Sequence, residues 1–323
     1  MNYDRLGRSG AFVSKLCLGT MNFGMVTDER EAFRIMDCAL DLGINFFDTS
    51  NSYGGHQNRG ATESIIGKWF SESKKRDRVF LSDKVYSLTE PIFHNPNDEC
   101  GLSAYKVRYQ IEASLRRLKT DHIDLYQMHH IDHNVYWSEM WNEFQRLYNA
   151  GKIVYTGSSN FSAYDIAKCN FAAHSMNMFG LVSEQHRYNL LCRLPELEVI
   201  PACRKEKIGF LVWGPLSAGR LGDNPFDKEA GTRSSHNKFT EECRKQIVAY
   251  REFCKEENIK PAQLALSWVL SNPDVTSVII GPRTIEQLHS CVQSLSQENN
   301  QYFEVLGNLF KGPGGESPEA YAW

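Results

Sequence analysis

The sequence predicts a (β/α)8 barrel of the α/β class, and three observations carry that prediction. Short apolar, β-branched runs recur eight times along the chain. The stretches between them show the apolar spacing and capping residues of helices. No G-x-G-x-x-G turn follows the first run, as an open dinucleotide-binding sheet would require.

In chain order the strand runs are Leu16-Cys17-Leu18, Ile44-Asn45-Phe46-Phe47, Val79-Phe80-Leu81, Ile123-Asp124-Leu125-Tyr126, Ile153-Val154-Tyr155, Leu181-Val182-Ser183, Gly209 to Trp213 and Val275 to Ile280. Between them, helices are predicted over Asp28 to Leu42 behind a Thr27-Asp28 cap, Ser103 to Leu118, Val135 to Ala150 closed by Gly151, and Ala163 to Met176 behind Ser162. Strands that alternate with helices in this way pair in parallel, because each crossover returns the chain to the same end of the sheet. Ahead of the first run, Gly7-Arg8-Ser9-Gly10 reads as the turn of an N-terminal β-hairpin that plugs the barrel bottom. No linker interrupts the pattern, so residues 1–323 read as a single barrel domain. Three connections exceed the usual short loop: Tyr86 to Leu102, Gly214 to Thr240 and Gly307 to Trp323. The first two follow strand ends, the face where barrel enzymes carry their chemistry.

Composition narrows the function. With 41% hydrophobic residues, 18 Phe, 14 Tyr and 6 Trp, the 323-residue chain has material for a packed core. A formal charge of −3 without a basic block offers no groove for nucleic acid and no face for an anionic membrane. No apolar run approaches the roughly 18 residues of a membrane helix. The first ten residues hold no apolar stretch of a secretory signal, so a cytoplasmic location is expected. Nine cysteines without a C-x-x-C pair speak against a disulfide framework and a cysteine-rich metal site.

The chemistry concentrates at the strand ends. The second barrel run leads into Asp48, with Tyr53 five residues on; the third leads into Lys84; the fourth into His129-His130. Singly, each has a structural explanation: a helix cap, a loop aromatic, a rim charge, a core imidazole. Together, an ammonium beside a phenol favours the phenolate, a carboxylate holds the ammonium, and the phenol becomes a usable proton donor. An imidazole beside them orients a carbonyl oxygen. Nothing in the set is a hydride source, so the reducing equivalent must come from a cofactor.

The motifs LGTMNFG (18–24), GINFFDTSNSYG (43–54), SDKV (82–85), DLYQMHH (124–130), GKIVYTGSSNF (151–161), SEQHRYN (183–189), WGPLSAGRL (213–221) and IIGPRTIEQL (279–288) resemble, in order, those of the aldo-keto reductase superfamily. The resemblance spans nearly the whole chain and implies a barrel that binds NADP(H) without a Rossmann domain. It implies a catalytic tetrad at Asp48, Tyr53, Lys84 and His129. It further implies that Ser159, Asn160 and Gln185 hold the nicotinamide carboxamide and that Trp213 stacks on its ring. Pro215, Leu216 and Gly219, with Gly214 and Ser217, fall in the loop that crosses the pyrophosphate; Gly19, Thr20, Met21 and Gly281 also line the cofactor. Arg283 and Gln287 match contacts to the ribose 2′-phosphate, Arg233 a further basic residue, and Cys291 a position near the adenosine. The chain departs from many relatives in having Ser290-Cys291 where they have Glu-Asn, and Asp223 near where some carry a lysine.

Two rival readings were open on the sequence. His129-His130-Ile131-Asp132-His133 looks like a metal-ligand cluster, but neighbours on a strand point to opposite faces, which separates the two imidazoles unless the strand has already ended. The chain also resembles the β-subunits of voltage-gated potassium channels, which share the fold and cofactor and act as redox-sensing partners; there the tetrad histidine is commonly replaced, whereas His129 is retained here. The expected function is therefore NADPH-dependent reduction of an aldehyde or ketone to an alcohol, its partner a small-molecule carbonyl. The polar residues Asn22, Asn51 and His130 suggest a sugar or keto-sugar. Met21, Phe23, Tyr86, His130, Tyr321 and Trp323 are candidates for the substrate pocket. A homo-oligomer is compatible with the sequence.

Overall fold

Strands form where the β-branched and aromatic runs stand, and several of them extend further at their C-terminal ends than those runs do. The computed structural model describes residues 1–55, 57–89, 97, 100–226, 239–296 and 299–318. Its strands are β1 (Tyr3–Arg5), β2 (Phe12–Ser14), β3 (Leu16–Gly19), β4 (Phe46–Asp48), β5 (Phe80–Val85), β6 (Ile123–Met128), β7 (Ile153–Ser159), β8 (Leu181–Arg187), β9 (Gly209–Trp213) and β10 (Val275–Ile280). β3 to β10 pair in parallel in chain order and close on themselves through β10 and β3. This is the predicted eight-stranded barrel. β1 and β2 form the expected antiparallel hairpin, with Tyr3 opposite Ser14.

The helices are α1 (Glu29–Asp41), α2 (Ala61–Ser73), α3 (Ala104–Leu118), α4 (Trp137–Asn149), α5 (Ala163–Ser175), α6 (Val199–Glu206), α7 (Glu241–Glu256), α8 (Pro261–Leu270), α9 (Ile285–Gln293) and α10 (Phe303–Leu309). Three predicted caps are made: Asp28 accepts from the Glu31 amide at 2.8 Å, and Ser103 and Ser162 accept from Lys106 and Asp165 at 3.2 Å each. α4 begins two residues inside its predicted start, at Trp137. The closing segment also needs correction, because α10 runs through Gly307 and the irregular tail starts only at Phe310.

Inside the barrel the layers alternate by the two-residue period of a strand. The bottom is apolar: Leu6 and Val13 of the hairpin pack with Cys17, Phe46, Leu125, Val182 and Leu211. Two residues further up the same faces, Phe46, Leu125 and Leu211 give way to Asp48, Gln127 and Trp213. The hairpin thus seals one end with hydrocarbon and leaves the strand ends at the other for polar chemistry. Around the barrel, most helices bury their apolar stripes against the outer strand faces in one core, while α7, part of α8 and α10 form a second cluster around Ile247, Tyr250, Leu264 and Leu306.

Candidate active site

Lys84 is at the centre of the site, fully buried near the end of β5. Its ammonium donates to Asp48 Oδ2 at 2.6 Å, to the Thr49 carbonyl at 2.8 Å and to the Tyr53 hydroxyl at 3.2 Å. Burial alone would lower the lysine's pKa, yet Asp48 and Tyr53 outweigh it and hold the group above its ordinary value, so it stays charged. Asp48, 2% exposed at the end of β4, accepts in addition from Ser82 Oγ at 3.2 Å, Gln185 Nε2 at 2.8 Å and Gln127 Nε2 at 3.4 Å. A buried ion pair satisfied in this way is stable, whereas deleting one partner strands a charge at a cost of about 3–5 kcal/mol.

Tyr53 stands in the turn after β4, half-buried, with its amide bonded to the Ser50 carbonyl at 3.1 Å. An ammonium can only donate, so the phenol oxygen accepts from Lys84 and that contact does not consume the phenol's own hydrogen. His129 meets Tyr53 edge to face, ring centres 6.1 Å apart, and its Nδ1 lies 3.2 Å from Ser50 Oγ. Its surroundings, Lys84 and His130 hold its pKa well below the ordinary imidazole value, so the ring is neutral. The structure therefore brings all four of Asp48, Tyr53, Lys84 and His129 together. For the histidine pair the strand has already ended: β6 stops at Met128, so the alternation that would send the two imidazoles apart does not apply, and the rings of His129 and His130 stack at 4.8 Å. Tyr86 meets His130 edge to face at 5.2 Å.

Next to this group lies a set of amides, hydroxyls and an aromatic ring. Ser159 Oγ and the Asn160 amide both donate to the Gln185 carbonyl, at 2.8 and 3.0 Å. Asn160, left-handed at φ 60°, spans from the His129 carbonyl (3.1 Å) to the Trp213 indole N–H (3.1 Å). Trp213 is half-buried at the end of β9. Beyond it, Gly214 to Gly219 make a tight loop closed by Ser217 N–H to the Gly214 carbonyl at 2.9 Å, and nothing lies within 4 Å of where a Gly219 side chain would begin. Thr20 Oγ1 donates to the Asp48 carbonyl at 2.9 Å. Gly19 is needed for packing, since a Cβ there would stand 2.7 Å from Ile279. Met21 is exposed, and Gly281 accepts from Asn22 Nδ2 at 2.8 Å.

At the far edge, Gln287 Oε1 accepts from the Arg283 amide at 2.8 Å, which fixes the backbone of an arginine whose guanidinium makes no ion pair among the described residues. Cys291 packs half-buried against the core, its thiol pushed up to about 12 by burial and Asp223. Arg233, Tyr321 and Trp323 lie outside the described residues. A guanidinium without an ion pair among the described residues, a run of amide and hydroxyl groups and a half-buried indole fit a nicotinamide dinucleotide by the chemistry of the donors.

Sequence reasoning missed Ser50, Ser82 and Gln127. Strand alternation would have found the last two, because they share the inward face of β5 and β6 with Lys84 and Leu125. Among the described residues no group of three His, Cys, Asp or Glu side chains could hold a metal ion, and no helix is long and apolar enough to cross a membrane.

A sequence model of the aldo/keto reductase family matches residues 15–305. The chain is 49% identical to the uncharacterized oxidoreductase YrpG of Bacillus subtilis, with the whole of both chains covered. It is 32% identical to the aldo-keto reductase AMT2 of Alternaria alternata, over 92% of this chain and 88% of that one. It is likewise 32% identical to the norsolorinic acid reductase stcV of Emericella nidulans, over 92% and 78%.

Proposed function

The chain belongs to the aldo/keto reductase family, nicotinamide-dependent oxidoreductases of carbonyl groups, and on that premise we propose that it reduces an aldehyde or ketone with NADPH while Tyr53 delivers the proton. One observation carries the proposal: the Tyr53 hydroxyl sits 3.2 Å from a fully buried ammonium that is itself paired with Asp48 at 2.6 Å. When bound, NADPH supplies the hydride.

The chain's own residues do the rest. Ser159, Asn160 and Gln185 would hold the carboxamide, Trp213 the ring face, the Gly214-to-Gly219 loop the pyrophosphate, and Arg283 the 2′-phosphate. In the tautomer with the ring proton on Nε2, His129 Nδ1 accepts from Ser50 Oγ, 3.2 Å away, and the neutral imidazole points the carbonyl oxygen at Tyr53. Tyr53 gives its hydrogen to the oxygen as negative charge develops there. Lys84 stabilises the phenolate left behind, and Asp48 keeps Lys84 in place. The same residues run backwards for alcohol oxidation.

The substrate reading shifts from a sugar towards an apolar or aryl carbonyl. One amide hydrogen of Asn22 goes to the Gly281 carbonyl, and both of buried Asn51 go to the Ser87 carbonyl and Gln110, so Asn51 has no N–H left for a hydroxylated ligand. Met21, Met25 and Val26, on the loop after β3, are exposed, and Met25 reaches 3.9 Å from where a side chain on Gly55 would begin, two residues past Tyr53. The alternative of a redox-sensing partner subunit gains nothing from these contacts, since His129 stands with the other three.

The test is NADPH oxidation with aliphatic, aryl and sugar carbonyls, run beside Tyr53→Phe. Aryl carbonyls should turn over fastest, and the variant should lose roughly 10²–10⁴-fold in turnover, the usual contribution of a positioned acid, with NADPH affinity unchanged. Full turnover in Tyr53→Phe would remove the phenol from its role.

A further inference from the structure

Glu184 is fully buried on β8, and among the described residues the only ionisable side chain its carboxylate touches is His186, at 3.0 Å. No lysine or arginine pairs with it there. A buried carboxylate without such a cation is expensive, and an apolar side chain of similar volume would serve the core better. What the carboxylate does locally explains its presence. Oε2 accepts from Ser158 Oγ at 2.5 Å and Oε1 from the Phe161 amide at 3.0 Å, so the two oxygens hold both ends of the turn 158–161.

That turn carries Ser159 and Asn160. β7 and β8 are in register with Ser158 opposite Glu184 and Ser159 opposite Gln185. Above the register shift between Thr156 and Gly157, strand alternation puts Ser158 and Glu184 outward and Ser159 and Gln185 towards the barrel interior. The inner contacts hold the turn from one side, and Glu184 holds it from the other. Asn160 between them takes a left-handed conformation, φ 60°, which few residues other than glycine and asparagine adopt readily. Its side chain then reaches the His129 carbonyl and the Trp213 indole, so the angle of the turn reaches both neighbours.

We infer that Glu184 is a positioning residue for the amide end of the cofactor: by gripping Ser158 and Phe161 from behind, it aims Ser159 and Asn160 into the barrel mouth. It touches neither cofactor nor substrate. The inference rests on the reading that Ser159 and Asn160 hold the carboxamide. It predicts damage at that end and none at the adenosine end, which the same reading gives to Arg283, just ahead of the α9 cap Thr284.

The experiment measures two dissociation constants on purified full-length protein, by fluorescence titration with NADPH and with adenosine 2′,5′-bisphosphate, which carries only the adenosine end. Glu184→Ala should raise the NADPH constant about tenfold, equal to 1.4 kcal/mol, and leave that of the bisphosphate unchanged. Glu184→Gln, which keeps one acceptor for the Phe161 amide, should recover part of the loss. Ser158→Ala cuts one of the two grips without emptying the carboxylate's site and should shift NADPH alone in the same direction, so the question stays answerable should Glu184→Ala not fold. Equal weakening of both ligands would show general damage and overturn the inference, as would unchanged NADPH binding in Glu184→Ala and Ser158→Ala. A wild-type protein that binds neither ligand would instead overturn the cofactor reading beneath it.

Discussion

Lys84 has three hydrogens, and the barrel gives each an acceptor: a carboxylate, a backbone carbonyl and a phenol. The consequences spread to the imidazoles beside it. Burial and the Lys84 charge bring His130 down to about 4, and His129 shifts the same way. In an unfolded chain both titrate near 6.5. The unfolded state therefore binds more protons than the folded one as pH falls from about 6.5 towards 4, and stability conferred by the neutral rings is full above that window and lost within it. Buried Asp83 works in the opposite sense, because burial and Glu63 raise its pKa, so bulk stability against pH mixes both signs. A comparison isolates the histidine. His130→Gln should lose less of its urea midpoint than the wild type between pH 7.5 and pH 5, and parallel losses would show that the ring is not held neutral.

At the scale of elements, the strand ends decide what the sequence could and could not reveal. All eight barrel strands were visible as apolar runs, but the third, fourth, fifth and sixth runs stopped at Leu81, Tyr126, Tyr155 and Ser183, while the strands continue to Val85, Met128, Ser159 and Arg187. The missing residues are the polar ones: Ser82 to Lys84, Gln127, Thr156 to Ser159, Glu184 to Arg187. Hydropathy drops where the barrel interior turns from packing to chemistry, so a pattern that tracks burial ends where the site begins. Asp48, Tyr53, Lys84 and His129 stood out in the sequence because they differ in chemistry and cluster at the ends of β4, β5 and β6. The support of Ser159 and Asn160 from behind was not, since a glutamate within a strand carries no local signal of the turn it grips. α9 shows how a short element is fixed at its start: Thr284 caps it, and Gln287 fixes the Arg283 backbone. A guanidinium presented to a phosphate makes charge-assisted hydrogen bonds of about 1.5–3 kcal/mol. Arg283→Ala should therefore weaken NADPH by at least about tenfold while NADH, which lacks the phosphate, changes little. Equal losses in the two titrations would remove Arg283 from the 2′-phosphate.

Across the whole molecule the two barrel ends are closed by different means. The hairpin seals the bottom with Leu6 and Val13, a contact between neighbours in sequence that the turn at Gly7 to Gly10 announces. The tail reaches the upper end over distances no local pattern encodes: Glu316 pairs with Arg187, 129 residues away, and with Arg220, 96 residues away. Arg187 ends β8, and Arg220 follows the loop after β9, so a single carboxylate ties the tail to both. The backbone sets it there, with the Arg193 amide bonded to the Gly314 carbonyl and the Glu316 amide to the Leu191 carbonyl, 2.8 Å each. Gly315 makes this possible at φ 90°, a conformation L side chains rarely adopt, and a Cβ there would collide with the Leu191 carbonyl. Gly315→Ala keeps all three charges but displaces the backbone that aligns them, whereas Glu316→Gln keeps the backbone and removes the charge. If the tail is held by both, each variant should expose it to limited proteolysis under conditions that leave the wild type intact, and Gly315→Ala should lose the more, because strain at an incompatible positive φ adds to the broken contacts. Added salt should expose the wild-type tail while changing Glu316→Gln much less, since only the former depends on a partly exposed ion pair. A wild-type tail cut equally at low and high salt would mean that the backbone bonds alone hold it.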